Sequence, residues 1–267
     1  MPIRKPLVLT VALSLIAGGA GHAFDQGAFD GGAFDGGAFE ESASASFHAF
    51  APIGRSDESP RMVDATDIAS MWRVARDLAR RGEHSDAYRT YHEIVAVHEG
   101  HALGHREAAY VGGAMRELGR YHLAGSDDAQ IESDPRLAEM HLYRSATLFG
   151  DADAQFLLGR FHLSERWGAP RRRYAARWLS LAARKGHRSA QIELARLLLK
   201  GEGVARDTSR GLMLLARAAR TAKPNELRIV RELTAASYTA VPMSQRARVD
   251  EALRRANLLD ARLATSR

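Results

Sequence analysis

Histidines are the residues of this chain whose type and spacing come nearest to a chemical site. The chain has eleven of them, and His98, His101 and His105 lie close together. A zinc-protease helix needs two histidines four residues apart with a glutamate directly after the first, so that both imidazoles reach one metal. His98 and His101 are three apart, and His101 and His105 have Ala102 where the glutamate belongs. We therefore predict no metal site and interpret these three as solvated loop histidines.

Two further histidines recur at one position of a repeated segment. His122 follows Tyr121, and His162 follows Phe161 in the same place. We expect both to be partly exposed residues of helices. Because histidine titrates between pH 5 and 8, a proton-sensing role for them stays open.

Other catalytic patterns are missing from the sequence. The chain has no cysteine, and it contains no nucleophile elbow, phosphate-binding loop or dinucleotide-binding fingerprint. We predict that the protein is not an enzyme and has no catalytic residues, no cofactor and no small-molecule substrate. The lack of thiols also suits an oxidising compartment.

The densest basic run is a candidate for binding a partner. It consists of Arg171, Arg172 and Arg173, with Arg177 one helical turn further on. Arginines at the start of a helix oppose its macrodipole, which suggests that they have a use there. The alternative interpretation is a solvated helix start.

The overall charge is unevenly distributed. Residues 24–159 contain 12 basic and 23 acidic residues, whereas residues 160–267 contain 24 and 9. A basic protein suggests nucleic acid as a ligand, but the export signal described next argues against that. We expect the two halves to present opposite charges to a protein partner, to an acidic surface or to each other.

The first 23 residues are typical of a secretory signal peptide. Arg4 and Lys5 precede an apolar stretch over residues 7–17, and small residues precede a cleavage point between Ala23 and Phe24. The stretch is short for a bilayer span. We predict a periplasmic protein that spans no membrane after cleavage; an uncleaved anchor or a buried helix are the alternatives.

Residues 24–60 begin with a five-residue repeat of phenylalanine, acid and glycine. A period of five matches neither a helix nor a strand, and glycine-rich chain loses much entropy on folding. We predict a disordered segment that acts as a linker or as a weak multivalent binding tract.

The remaining chain repeats itself at intervals of 36 and 40 residues. Residues 154–155 are Ala–Gln, as are residues 190–191, and the segment 118–123 resembles 158–163. Such periods indicate stacked helix pairs. We predict an all-α, right-handed solenoid of antiparallel helix pairs, with degenerate repeat helices over 61–114, repeats over 115–221, and capping helices and a tail over 222–267.

Particular residues of the middle repeats are predicted to build its core. Helix periodicity places small and large apolar residues on facing stripes, with one glycine at a close crossing and another at a left-handed helix end. These residues are Ala154, Leu158, Gly159, Phe161, Trp178, Ala182, Gly186 and Ala190.

This pattern resembles Sel1-like repeats, which are relatives of the tetratricopeptide repeat. The run at residues 145–155 and the segment 210–214 further resemble the ExoR-like negative regulators of exopolysaccharide production. The resemblance implies a periplasmic protein that acts by protein–protein binding and inhibits a membrane sensor kinase through that kinase's periplasmic domain. An envelope scaffold with another partner is the alternative, followed by a cell-wall enzyme.

Overall fold

The structure, a computed structural model, describes residues 68–98 and 103–259, all within the structural unit formed by residues 55–267. The predicted signal peptide, its predicted cleavage point and the segment predicted to be disordered lie outside the described residues. Every regular element described is helical, so the all-α prediction is confirmed. The α-helices are α1 Ile68–Arg81, α2 His84–His98, α3 His105–Ala124, α4 Pro135–Leu148, α5 Ala152–Leu163, α6 Arg172–Arg184, α7 Arg188–Lys200, α8 Thr208–Ala219, α9 Pro224–Ser237 and α10 Met243–Arg255.

The helices pack as consecutive pairs, each against the one before it and the one after it as far as α9. The first helices of neighbouring pairs are also in contact: α1 packs against α3, α5 against α7, and α7 against α9. Two short 3-10 helices interrupt the connections, at Glu165–Trp167 and Tyr238–Ala240. This arrangement makes one continuous stack in which each pair buries the apolar face of the next.

Helix starts are fixed by short polar side chains. Asp134, Asp151 and Asp207 each precede a helix and accept hydrogen bonds from its first free backbone N–H groups. Gly186 follows α6 with a φ of +86°, a left-handed conformation that any other residue adopts only with strain. These caps set where the helices of each pair begin and end.

The two helices of a pair cross closely at glycines. A Cβ atom on Gly159 would lie 2.6 Å from Cγ of Leu179, and one on Gly119 would lie 2.7 Å from Cγ of Leu142. Both distances are well inside van der Waals contact. The absence of a side chain at these positions therefore lets α5 approach α6, and α3 approach α4.

Residues predicted to build the core lie inside the stack. Ala154, Leu158, Ala182 and Ala190 are fully buried, and Phe161 and Trp178 nearly so. The first pair shares an apolar cluster with α3, formed by Met71, Tyr91 and Ile94 together with Met115 and Leu118 of α3. The C-terminal cluster is rich in leucine and extends from α6 to α10, where Val249 and Leu253 cover α8.

Candidate interaction surfaces

The arginine run at the start of α6 is partly engaged by neighbouring acids. The Arg171 guanidinium lies 2.9 Å from Oε1 of Glu139, on α4, and the Arg172 Nε lies 3.4 Å from Glu202, in the loop after α7. Arg173 is exposed and Arg177 is half-buried. The run therefore links successive repeats as well as facing solvent.

Glu139 connects this surface to a buried histidine. The His162 Nε2 lies 3.5 Å from Oε1 of Glu139, and the ring packs edge-on against Tyr174. Desolvation, together with the positive charge of nearby Arg171, lowers the pKa of His162 to about 3. Burial raises the pKa of Glu139, while Arg171 opposes that shift. His162 is consequently neutral at ordinary pH. It lies beside the Glu139 carboxylate, which is paired with Arg171.

A pair of buried histidines, His122 and His141, lies between α3 and α4. The rings of His122 and His141 are stacked, with centroids 5.6 Å apart and planes 3° from parallel. The Tyr88 hydroxyl is 3.2 Å from Nε2 of His122. Desolvation and the neighbouring histidines lower the pKa of His141 to about 3, and the pKa of His122 is lowered mainly by desolvation.

The expectation that His122 and His162 are partly exposed is wrong. They are 4% and 3% exposed. The physical reason is helix geometry: each lies four residues after a fully buried leucine, Leu118 or Leu158, and residues four apart share a helix face. That spacing was the available signal for their burial.

The histidines considered for a metal are distributed differently. His98 ends α2 and donates a hydrogen bond from Nδ1 to the Ile94 carbonyl oxygen, 2.9 Å away, while His105 begins α3. The prediction of loop residues is therefore wrong for His98 and His105, which both lie in helices. His101 lies outside the described residues. Within 68–98 and 103–259 no group of three or more histidine, cysteine, aspartate or glutamate side chains is placed to hold a metal ion.

An open groove of about 690 Å³ lies between α1 and α3. Sequence reasoning did not identify it, because α1 lies in the degenerate N-terminal region and its register against α3 does not follow from the repeat pattern. Aromatic and arginine side chains dominate its lining. They are Trp72, Arg76, Arg80, Tyr91, Arg116, Arg120 and Tyr121, with Glu117 as the single acid.

A second groove of about 530 Å³ lies along α5, α7 and α9. Its charged residues are balanced, with Arg160 and Arg196 facing Glu193 and Glu226.

Across the described ranges no helix combines the length and apolar character that crossing a bilayer requires.

Comparison with known proteins identifies the repeats. The Sel1 repeat matches residues 113–148, 152–187 and 188–220. These segments contain most of α3 with α4, and the pairs α5–α6 and α7–α8. The chain therefore contains three Sel1 repeats, which confirms the resemblance to such repeats stated from its sequence.

The similarity to particular proteins extends beyond these repeats. The chain is 28% identical over 228 residues to the exopolysaccharide production negative regulator of Rhizobium meliloti (strain 1021), covering 82% of this chain and 81% of the relative. It is also 28% identical over 141 residues to the protein of the same description from Rhizobium leguminosarum bv. viciae, covering 53% of this chain and about half, 51%, of that relative.

Two solved structures are similar at low identity. The Sel1 repeat protein from Oxalobacter formigenes has a TM-score of 0.49 and 16% identity, covering 70% of this chain and 67% of that one. The protective antigen c5321 of uropathogenic Escherichia coli, which has an SLR fold, has a TM-score of 0.45 and 17% identity, covering 74% and 53%.

Proposed function

We propose that this protein is a non-catalytic periplasmic regulator that lowers exopolysaccharide production by binding a protein partner. The observation that carries the proposal is the similarity to the Rhizobium meliloti regulator over 82% of this chain. Stacked helix pairs support it, since such stacks offer extended surfaces for peptides and domains.

The partner we propose is the periplasmic domain of a membrane sensor kinase. A repeat protein without a catalytic site controls an enzyme only by binding one of its states better than the other. Binding that favours the inactive kinase would hold signalling off until the repeat protein is released. The export of the chain by residues 1–23, with cleavage between Ala23 and Phe24, belongs to the same proposal.

Gene deletion tests this function directly. Loss of the protein should raise exopolysaccharide and switch on the genes that the kinase controls. Full-length protein should restore both, protein lacking residues 1–23 should not, and the truncated protein behind an unrelated signal peptide should. Unchanged exopolysaccharide and kinase output after deletion would remove the regulator and leave an envelope scaffold as the better description.

Intact mass of the protein recovered from the periplasm tests the export step. A species that begins at Phe24 is expected, because cleavage after Ala23 removes the signal peptide. A full-length mass, or protein confined to the cytoplasm, would contradict it.

A further inference from the structure

Cationic side chains outnumber anionic ones in the lining of the groove between α1 and α3, and three of them are paired with acids: Arg80 with Asp77, Arg116 with Asp151 and Arg120 with Glu117. Arg76, Arg80, Arg116 and Arg120 line the groove against one carboxylate, Glu117. The second groove is balanced by comparison. An anionic ligand is thus favoured at the first groove and not at the second.

Three of these four guanidinium groups remain accessible to a ligand. The Arg116 side chain is only 16% exposed and is held by Asp151 at 2.7 Å and by Glu117 at 3.0 Å. Arg80 and Arg120 have side chains 68% and 61% exposed, and each has an ion pair within its own helix, Arg80 with the exposed Asp77 and Arg120 with the largely buried Glu117. Arg76 is exposed as well. An exposed pair such as Arg80–Asp77 contributes little to stability.

The floor of the groove is aromatic. Trp72 and Tyr91 have ring centroids 5.5 Å apart, and Tyr91 and Tyr121 are 6.5 Å apart. Arg76 lies over the Trp72 ring, 5.9 Å from its centroid. A ligand that reaches these rings gains apolar contact next to the positive charges.

Arginines recur along the stack with the period of the repeats. Arg80, Arg120, Arg160 and Arg196 are 40, 40 and 36 residues apart, and the first two line the first groove while the last two line the second. Packed helices lie about 8–10 Å apart, and an extended peptide in the polyproline II conformation advances about 3.1 Å per residue with three residues per turn. Carboxylates three residues apart on such a chain lie on one face about 9 Å apart, a spacing suited to arginines on the neighbouring helices α1 and α3.

We propose that the groove between α1 and α3 binds an extended acidic peptide segment of the partner protein. Carboxylates of that segment pair with Arg76, Arg80 and Arg120, since a guanidinium binds a carboxylate through two parallel hydrogen bonds. An apolar side chain between the acids packs on Trp72 and Tyr121. The inference rests on the proposed function only in that the partner is a protein.

Fluorescence anisotropy with purified mature protein, residues 24–267, tests the groove. The probe is a labelled twelve-residue peptide with aspartate at every third position and one central phenylalanine, and its matched control replaces each aspartate with asparagine. We expect the aspartate peptide to bind at least tenfold more tightly at low salt, and its advantage to shrink at high salt because screening weakens exposed ion pairs.

Charge-reversal variants locate the site. The variant R80E/R120E should lose at least tenfold in affinity for the aspartate peptide, and R80Q/R120Q should lose less. The control R254E/R255E makes the same charge change at exposed residues of α10 and should bind normally. Circular dichroism of all variants verifies that each is folded.

Several results would overturn the inference. Equal affinity for the two peptides, or equal loss in R80E/R120E and R254E/R255E, would show that binding is not specific to carboxylates in this groove. Groove-dependent binding of polyglucuronate in place of the peptide would assign the groove to an anionic polysaccharide. Because these measurements use purified protein, they fail independently of the deletion phenotype that tests the proposed function.

Discussion

The middle and the C-terminal part of the stack solve the same packing problem with different side chains. His122 in α3, His162 in α5 and Leu198 in α7 occupy equivalent repeat positions, 40 and 36 residues apart. All three are buried, at 4%, 3% and 4% exposure. One position therefore holds a titratable ring in two repeats and an aliphatic side chain in the third, which shows that the repeat requires burial there but not apolarity.

The difference has an energetic consequence. Among the described residues, both ring nitrogens of His162 and the Nδ1 of His122 lack a hydrogen-bond partner that meets normal geometry. A buried polar atom without a partner costs about 1–3 kcal/mol. The middle of the stack thus gives up stability that the leucine-rich C-terminal cluster keeps.

Exchanging the residues between the two regions should produce the largest effect. Leu198→His loses the burial of a leucine, about 1.5–3 kcal/mol, and buries an imidazole among apolar neighbours. We expect the free energy of unfolding in urea to fall by about 3 kcal/mol or more. The reverse change, His162→Leu, is the matched control and should leave stability unchanged or raise it by about 1 kcal/mol, because Glu139 keeps its pairing with Arg171.

Similar losses in both variants would break the comparison. They would indicate that His162 contributes a stabilising interaction of its own, and that the two positions are equivalent in sequence but not in environment.

The close crossings provide the second test. Gly159 faces Leu179, whereas its equivalent in α7 is the fully buried Ala195. Gly159→Leu forces a side chain into occupied space, so we expect a loss of about 1–3 kcal/mol or more and a clearly lower melting temperature. Gly159→Ala should lose less, and adding Leu179→Ala to it should show coupling in a double-mutant cycle. An unchanged melt in Gly159→Leu would mean that α5 and α6 are further apart than the structure has them.

Sequence reasoning succeeded where a residue's role follows from periodicity. The 36- and 40-residue intervals were enough to predict an all-α repeat fold, because core positions recur with the repeat. It failed at His122 and His162, where residue type suggested exposure but the spacing from Leu118 and Leu158 required burial. The groove between α1 and α3 was also missed, since Trp72 and Tyr121 become neighbours only when distant helices pack together.

The buried histidines also predict how stability depends on pH. The unfolded chain takes up protons on histidine below about pH 6.5, whereas His141 and His162 in the folded chain have pKa values of about 3. The free energy of unfolding should therefore fall as the pH drops below 6.5, by about 1.4 kcal/mol per pH unit for each such histidine.

Urea unfolding between pH 7.5 and 5.5 measures this slope. In His162→Leu the total loss of stability between pH 7.5 and 5.5 should be smaller by about 1.4 kcal/mol, because the unfolded histidine takes up its proton gradually over this range, while Leu198→Ile, a conservative change in the apolar region, should keep the full loss. Asp153 does not interfere, because its lowered pKa confines its contribution to more acidic conditions. Glu139 acts in the opposite sense, since burial raises its pKa. An identical slope in His162→Leu would show that this histidine has the same pKa in the folded protein as in the unfolded chain.

The smallest expected effects on stability come from two arginines of the run at the start of α6, and they should differ between Arg171 and Arg173. Arg171 pairs with Glu139, whose side chain is only 14% exposed, so Arg171→Ala leaves a largely buried carboxylate without its cation. A loss of about 1 kcal/mol is expected, because hydrogen bonds to charged groups contribute more than neutral ones. Arg173 is exposed, and Arg173→Ala should change stability by less than about 0.5 kcal/mol. Combining Arg171→Ala with Glu139→Gln should recover most of the loss, since the uncompensated charge disappears. Equal, negligible losses in Arg171→Ala and Arg173→Ala would mean that the Glu139 carboxylate is stabilised without Arg171. The contact between Glu139 and the buried His162 would then be the interaction that stabilises this carboxylate.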